Sequence, residues 1–262
     1  MLYKLSCFFL IASMAGWSSA QESNIKSNEL RILTYNIHAG KGLDGKIDLQ
    51  RIANVIKSVN PDLVALQEVD VKTRRSGNVD QAKTLAQLCN MKHVFGKAIN
   101  YQGGEYGNAV LANREIIASN AIELSEAGAE RRSAVGAAIY QDKNKNRPIT
   151  LISTHWDHRS AEARTQASKR LAEIVTQSEG VVVVAGDFNC ELDSREISSL
   201  MKVAASPSAK PVFTFPSKNP SKQIDFIVVD KQAKWKLKKL AAIDDRGASD
   251  HRPLLAVFEI DE

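Results

Sequence analysis

The chain has 262 residues, 44% of them hydrophobic, with 35 Lys and Arg against 30 Asp and Glu and a formal net charge of +5. A chain of this length buries a substantial core and fits one large α/β or β-rich domain. Three cysteines exclude a disulfide-stapled scaffold, no two of them have zinc-site spacing, and the mildly basic pI of about 9.0 favours anionic substrates.

The first twenty residues have the pattern of a secretory signal peptide. Lys4 supplies a short positive region, Leu5–Trp17 is apolar but too short to span a bilayer, and Ser18-Ser19-Ala20 provides small residues for cleavage. We therefore expect cleavage after Ala20, a secreted or periplasmic protein, and one domain over residues 21–262. The alternative is a buried N-terminal strand or helix. No later apolar run has transmembrane length.

Apolar runs and 3.6-residue periodicity predict an alternation of strands and helices that is richer in strands. Helices are predicted over Asp48–Val59, Asp80–Cys89 and Ser160–Val175, and a capping box at Asp193-x-x-Glu196 predicts a short one through Met201. Residues 204–220 are rich in Ser, Pro and Lys and are predicted to be loop. The predicted strands are Leu30–Ile37, Asp62–Leu66, His93–Ile99, Gly107–Ala112, Ala134–Tyr140, Pro148–Thr154, Val181–Ala185, Ile224–Val229, Trp235–Ile243 and Leu254–Glu259. This pattern indicates two sheets packed together with helices outside.

Polar residues stand at one end of five of these strands. The strand-end residues are Asn36, Gln67 and Glu68, His155, Asp187 and Asn189, and the Ser249-Asp250-His251 run before the last strand. One such residue is ordinary in a turn, whereas five sets indicate strand ends that converge on one cleft.

The residue types at these ends suit a divalent metal and a phosphate. Glu68 and Asp250 are hard oxygen ligands of the kind that Mg²⁺ or Mn²⁺ prefers, and Asn36 adds a neutral oxygen. Such an ion takes phosphate oxygens as further ligands, and neutral donors such as Asn108 or His158 can hold the remaining oxygens.

Two pairs of residues suit the handling of a water molecule. Asp187 and Asn189 are two apart, which in an extended chain places both side chains on one side. Asp225 interrupts an apolar strand, where a buried carboxylate needs a partner, and His251 is the natural one.

The ordered blocks TYNIHAG, LQEV, STHWDH, GDFN, QIDFI and SDH resemble the endonuclease/exonuclease/phosphatase superfamily over residues 30–259. The resemblance implies an α/β fold, a four-layer sandwich of two mixed sheets flanked by helices. It implies metal binding by Asn36, Glu68 and Asp250, and phosphate contacts by His158, Asn108 and Arg132. It implies catalytic roles for His155, Asp187, Asn189, Asp225 and His251.

The activity implied by the resemblance is hydrolysis of a phosphoester by metal-assisted water attack, with Mg²⁺, or Mn²⁺ or Ca²⁺, as cofactor. Asp187 and His251 remain alternatives for the general base. Short loops favour a phosphodiester, a lipid headgroup or another small phosphorylated substrate over nucleic acid, and we expect a monomer. The alternatives are an extracellular or periplasmic nuclease of the same superfamily and a non-catalytic phosphate-binding protein. Cys89 and Cys190 either form one disulfide with each other or are both free thiols.

Overall fold

The computed structural model describes residues 28–124, 131–140 and 147–260. The predicted signal peptide, residues 1–20, lies outside them. Within the described ranges the chain forms two six-stranded sheets that pack face to face, with helices on the outer surfaces. The predicted four-layer sandwich is confirmed.

The described elements follow the predicted alternation. The strands are β1 (Glu29–Asn36), β2 (Leu63–Val71), β3 (Lys92–Tyr101), β4 (Gly104–Ala112), β5 (Ala118–Glu123), β6 (Ser133–Tyr140), β7 (Pro148–His155), β8 (Val181–Asp187), β9 (Ala204–Ala205), β10 (Asp225–Asp230), β11 (Lys236–Ala242) and β12 (Leu254–Glu259). The helices are α1 (Leu49–Ser58), α2 (Gln81–Cys89), α3 (Ala161–Gln177) and α4 (Leu200–Val203).

Each sheet contains one parallel pair among antiparallel neighbours. The first sheet has the order β11-β12-β1-β2-β4-β3 and the second β5-β6-β7-β8-β10-β9. The strands β1 and β2 run parallel, as do β7 and β8, and a helix connects each pair, α1 in the first and α3 in the second. Parallel neighbours end at the same edge of a sheet, so each pair brings two strand ends together.

Three apolar clusters hold the layers together. The cluster between the sheets includes Ile32, Ala65 and Val183, and the other two lie between a sheet and its helices. The valines of β8 alternate between two of these clusters, because Val181 and Val183 face the other sheet while Val182 and Val184 face the helices. This explains why a continuous apolar run forms a strand buried on both faces.

The helices begin where polar residues can accept their first N–H groups. The Asp48 side chain accepts from the backbone N–H of Arg51, and the Asp80 side chain from that of Lys83, each at 3.0 Å. Ser160 Oγ accepts from the backbone N–H of Ala163 at 3.1 Å. These contacts satisfy donors that the helix itself leaves unpaired. The predicted starts of these three helices are confirmed.

The region after β8 departs from the sequence prediction. The helix predicted from Asp193 is wrong: a 3₁₀ turn spans Glu196–Ser198, and α4 starts only at Leu200. The Glu196 carboxylate accepts from Arg164 at 2.7 Å, and this salt bridge to α3 replaces the reciprocal capping contact. The short strand β9 also lies within residues predicted as loop.

The edges of the sheets carry polar strands. The strand β5, which the sequence did not predict, is mostly exposed because it pairs only with β6. The lysine-rich β11 is the edge of the first sheet, and exposed lysines are typical of an edge strand.

Cys89 and Cys190 are free thiols. Among the helices of the described chain, none has the length and apolarity to cross a bilayer.

Candidate active site

The polar strand ends predicted from sequence meet at one edge of the sandwich. In the first sheet Asn36 at the end of β1 stands opposite Gln67 of β2, and in the second His155 stands opposite Asp187. Asp225 opens the antiparallel β10 and is also opposite Asp187. The segment that precedes β12 reaches the same edge because β12 runs antiparallel to β1.

Asn36 joins the two sheets through its side chain. Its buried Nδ2 donates to Glu68 Oε1 at 3.0 Å and to Asp187 Oδ2 at 3.1 Å, while its Oδ1 accepts from the backbone N–H of His38 at 3.1 Å. One amide therefore positions a carboxylate from each sheet.

Glu68 reaches this point through a bulge in β2. The pairing with β4 shifts between Leu66 and Val69, and Glu68 has a left-handed backbone with φ of +58°. A non-glycine residue in this conformation is strained, and such strain is concentrated at functional sites. Gln67 beside it instead turns between the sheets and donates to Ser153 Oγ at 3.0 Å.

Asp187 lies at the centre of the cluster and is buried. Its Oδ1 accepts from the backbone N–H of Asn189 at 2.9 Å, and its Oδ2 lies 3.6 Å from Nε2 of both His155 and His251. Burial raises the pKa of Asp187 and the charge of Asp225 adds to the rise, although His251 and two hydrogen bonds oppose it. A carboxyl with a raised pKa accepts a proton more readily than an exposed aspartate.

His251 is oriented by the carboxylate predicted as its partner. Asp225 Oδ2 lies 2.9 Å from His251 Nδ1 and also accepts from Thr214 Oγ1 at 2.6 Å. Burial alone would lower the pKa of His251, but the charges of Asp225 and Asp187 outweigh it and raise that pKa. The imidazole therefore favours its positively charged form.

The turn after β8 differs from the extended chain expected at residues 187–189. Asn189 has a left-handed backbone with φ of +49°, and its Nδ2 donates to the carbonyl of Trp156 at 3.0 Å. Residues 187–189 are therefore not extended, and the side-chain alternation expected of an extended chain does not apply to them. Gly186 permits the close packing here, since a Cβ on it would lie 1.8 Å from the Thr154 carbonyl oxygen.

The three residues predicted as phosphate contacts flank the cluster. Arg132 is buried with Nη1 3.4 Å from His155 Nδ1 and Nη2 3.1 Å from His158 Nδ1. Asn108 donates to the carbonyl of Ser133 at 2.7 Å, next to Arg132. Its buried Oδ1 has no hydrogen-bond partner among the described residues. Burial, followed by the charge of Arg132, lowers the pKa of His155 well below its usual value, so that His155 favours its neutral form.

Several supporting residues were not assigned from sequence. Thr214 lies in a predicted loop with no distinguishing motif, whereas Ser249 and His38 stand inside the conspicuous blocks SDH and NIHAG. Ser249 Oγ donates to the Asn36 carbonyl at 2.7 Å and lies 3.3 Å from Asp250 Oδ1, which ties Asp250 to the end of β1.

The oxygen donors fit a hard divalent cation. Glu68 and Asp250 offer carboxylates and Asn36 offers an amide, whose Nδ2 donates to Glu68 and Asp187 while its Oδ1 accepts from the backbone of His38. Carboxylate and amide oxygens are the ligands that Mg²⁺ and Mn²⁺ prefer. Asp187, Asp225 and His251 form a second, buried group whose donor atoms all lie within 4.8 Å of one another.

Comparison with known proteins agrees with this arrangement. The profile of the endonuclease/exonuclease/phosphatase family matches residues 33–251. The uncharacterized protein YbhP of Escherichia coli K12 is 28% identical over 88% of this chain and 96% of its own length. A 5'-tyrosyl-DNA phosphodiesterase of Caenorhabditis briggsae is 27% identical over 68% of this chain and 48% of its own. The structure of a mannosyl-6-phosphatase of Bacteroides thetaiotaomicron superposes with a TM-score of 0.72 at 16% identity, covering 87% of this chain and 99% of that one.

Proposed function

Because the chain belongs to the endonuclease/exonuclease/phosphatase family, whose members hydrolyse phosphoesters, we propose that it is a divalent-metal-dependent phosphoesterase. The observation that carries the proposal is the position of Asp187, which lies within 3.6 Å of Asn36, His155 and His251, with Asp225 behind His251. This set can position a water molecule, accept its proton and hold a phosphate.

The roles follow from the contacts of each group. Asp187 Oδ2 is the proton acceptor for the attacking water, because its buried carboxyl has a raised pKa. His251 keeps its positive charge against Asp225 and stabilises the charge that develops on the phosphate. His155, which favours its neutral form, donates a hydrogen bond to a phosphate oxygen, and Arg132 orients it.

Glu68, Asn36 and Asp250 would hold the divalent cation, which would stabilise the negative charge of the phosphate during the reaction. Mg²⁺ is the proposed ion, and Mn²⁺ is its principal competitor. The amide of Asn36 is the element of the chain that couples the cation side to the water side, since it contacts Glu68 and Asp187 together.

The proposed substrate is a compact phosphoester, either a small phosphodiester or a small phosphorylated molecule such as a sugar phosphate or lipid headgroup. The connection from Glu68 to α2 is short, and the turn from His155 to α3 contains only residues 156–160. By its name, the similar mannosyl-6-phosphatase supports a small phosphorylated substrate, whereas the similar 5'-tyrosyl-DNA phosphodiesterase supports a phosphodiester and favours the nuclease alternative.

Export from the cytoplasm is the second part of the proposal, supported by the signal-peptide pattern of residues 1–20. Expression in a Gram-negative host followed by fractionation and N-terminal mass determination tests it. A mature protein that starts after Ala20 in the periplasm or medium is the expected result, and an uncleaved cytoplasmic chain contradicts it.

A panel of phosphoesters tests the activity. It contains bis-p-nitrophenyl phosphate, p-nitrophenyl phosphate, sugar and inositol phosphates, sphingomyelin and plasmid DNA, each with Mg²⁺ or EDTA. Metal-dependent turnover of a small ester that is lost in Asp187→Asn supports the proposal. DNA cleaved far faster than every small ester identifies the nuclease alternative instead, and tight phosphate binding without turnover identifies a binding protein.

A further inference from the structure

The segment from α4 to β11 concentrates positive charge on the surface. Residues 202–240 contain nine lysines, two aspartates and no arginine or glutamate, a formal charge of +7 in a chain whose total is +5. All nine lysines are exposed, whereas both aspartates, Asp225 and Asp230, are buried. The field at the surface of this segment is therefore positive, and the rest of the chain is net acidic.

The elements of this segment share one side of the sandwich. The strands β9 and β11 are edges of the two sheets, and their neighbours β10 and β12 contact each other across the sheets. Val212 and Trp235, from the loops before and after β10, pack against the same cluster between the sheets. Lys231 Nζ donates to the carbonyls of Met201 at 2.8 Å and Lys202 at 3.1 Å, which ties α4 to the same side. We call this side the lysine face, residues 202–240.

The lysine face adjoins the candidate active site. The centroid of the Phe215 ring lies 4.8 Å from that of the His251 ring, and Lys222 pairs with Phe215 in an isolated antiparallel bridge. Phe213, two residues earlier in the loop, is 44% exposed. The surface beside the site thus combines positive charge with an exposed aromatic ring.

Protection of a sheet edge explains only part of this charge. Exposed lysines hinder unwanted strand pairing, which suits β11. The opposite edges need the same protection, yet β5 contains no lysine and β3 contains two, of which Lys97 lies 3.3 Å from Glu105. Six of the nine lysines also lie outside β11. The lysine face therefore calls for an anionic partner.

We propose that the lysine face docks the protein on the anionic surface of a phospholipid bilayer. Lysines near such a surface each strengthen binding by roughly fivefold. Lysine is a compact hydrated charge suited to a diffuse anionic surface, whereas the bidentate contacts that fix nucleic-acid phosphates favour arginine, which this segment lacks. The exposed ring of Phe213 can enter the headgroup region.

Docking in this way would hold the adjoining site next to phosphorylated headgroups, one of the substrate classes proposed above. The docking itself requires neither a metal nor turnover, so it is tested separately from the proposed activity.

The test is sedimentation of the mature chain, residues 21–262, with lipid vesicles in EDTA. The apolar leader is omitted because it would bind lipid by itself. One set of vesicles contains phosphatidylglycerol and phosphatidylcholine at about one to two, which gives a negative surface, and the other contains phosphatidylcholine alone. Binding is measured at about 0.1 M and about 0.5 M NaCl, since salt screens exposed charges.

Three combined variants isolate the lysine face. The first removes charge from lysines whose side chains have no hydrogen bond or ion pair among the described residues: Lys234→Gln, Lys236→Gln and Lys239→Gln. The second keeps the charge by replacing the same three residues with Arg. The matched control removes three exposed lysines of α1, α2 and β3: Lys57→Gln, Lys83→Gln and Lys92→Gln.

We expect the wild type to bind the anionic vesicles at least about tenfold more tightly than the neutral ones, and to lose that preference at the higher salt concentration. The first variant should bind the anionic vesicles at least about tenfold more weakly, while the arginine variant and the control should stay within about threefold of the wild type. Thermal unfolding should match the wild type in all three.

Equal binding of the wild type to both kinds of vesicle overturns the proposal. An equal loss in the first variant and the control also overturns it, because net charge rather than the lysine face would then bind the lipid. Tighter binding to a DNA duplex than to the anionic vesicles, lost only in the first variant, assigns the face to nucleic acid instead. A wild type that docks but hydrolyses no phosphoester contradicts the proposed function alone.

Discussion

The carboxylate of Asp225 contacts His251 Nδ1 at 2.9 Å, and the opposite ring nitrogen of His251 lies 3.6 Å from Asp187. The imidazole therefore stands between two buried carboxylates from neighbouring strands. The two groups nearest the attacking water therefore have different proposed roles: His251 keeps a positive charge, and Asp187 accepts a proton.

Replacement of Asp225 by Asn should lower the pKa of His251. Burial on its own lowers that pKa, and the Asp225 charge is the largest effect that opposes it. The variant imidazole should lose its proton at a lower pH than the wild type, so activity should fall at the upper end of the pH profile first, with a loss of roughly 10²–10⁴-fold at neutral pH. Titration of the His251 ring by NMR, assigned with His251→Gln, checks the direction. An unchanged or raised pKa would contradict it.

Replacement of Asp187 by Asn should abolish turnover without unfolding the protein. The expected loss is at least about 10³-fold, because the amide cannot accept the proton of the attacking water. Thermal stability should be unchanged or higher, since burial disfavours the charge of Asp187. Initial rates and thermal unfolding measure the two effects. Asp193→Asn, an exposed acid in the following loop, is the control and should match the wild type.

Replacement of Gly186 by Ala should destabilise the second sheet. The new Cβ would lie 1.8 Å from the carbonyl oxygen of Thr154 and 2.8 Å from its carbon, and backbone atoms of a central strand cannot move aside cheaply. We expect the free energy of unfolding to fall by more than about 2 kcal/mol, measured by denaturant titration. Gly247→Ala, where a Cβ meets no atom within 4 Å, should change it by less than about 0.5 kcal/mol. Equal stability of the two variants would refute the packing argument.

Removal of divalent cations should abolish the activity reversibly. EDTA should reduce turnover to background and Mg²⁺ should restore it, because the cation stabilises charge at the phosphate. Glu68→Gln should require at least about tenfold more Mg²⁺ for half-maximal activity, since an amide is a weaker ligand than a carboxylate. Turnover against Mg²⁺ concentration gives both results, with the exposed Glu115→Gln as control. Full activity in EDTA would exclude metal dependence.

Residue type and short spacing along the chain were enough to predict many structural features of this protein. The sequence predicts the buried strand β8, the helix caps and a carboxylate–imidazole pair, and the structure shows all three. The caps are Asp48, Asp80 and Ser160, and the pair is Asp225 and His251. Each depends on residue type and short spacing, or on the simple rule that a buried carboxylate needs a partner.

Only the tertiary structure decided the contacts between segments that are distant in the chain. Asn36 meets Asp187 across 151 positions, and Ser249 meets Asn36 across 213. The left-handed backbones of His38, Glu68 and Asn189 depend on a bulge and on turns that tertiary packing holds in place. The sequence therefore determined which groups act at the strand ends, while strand order, register and backbone strain determined how they meet, because those depend on contacts that no short segment makes alone.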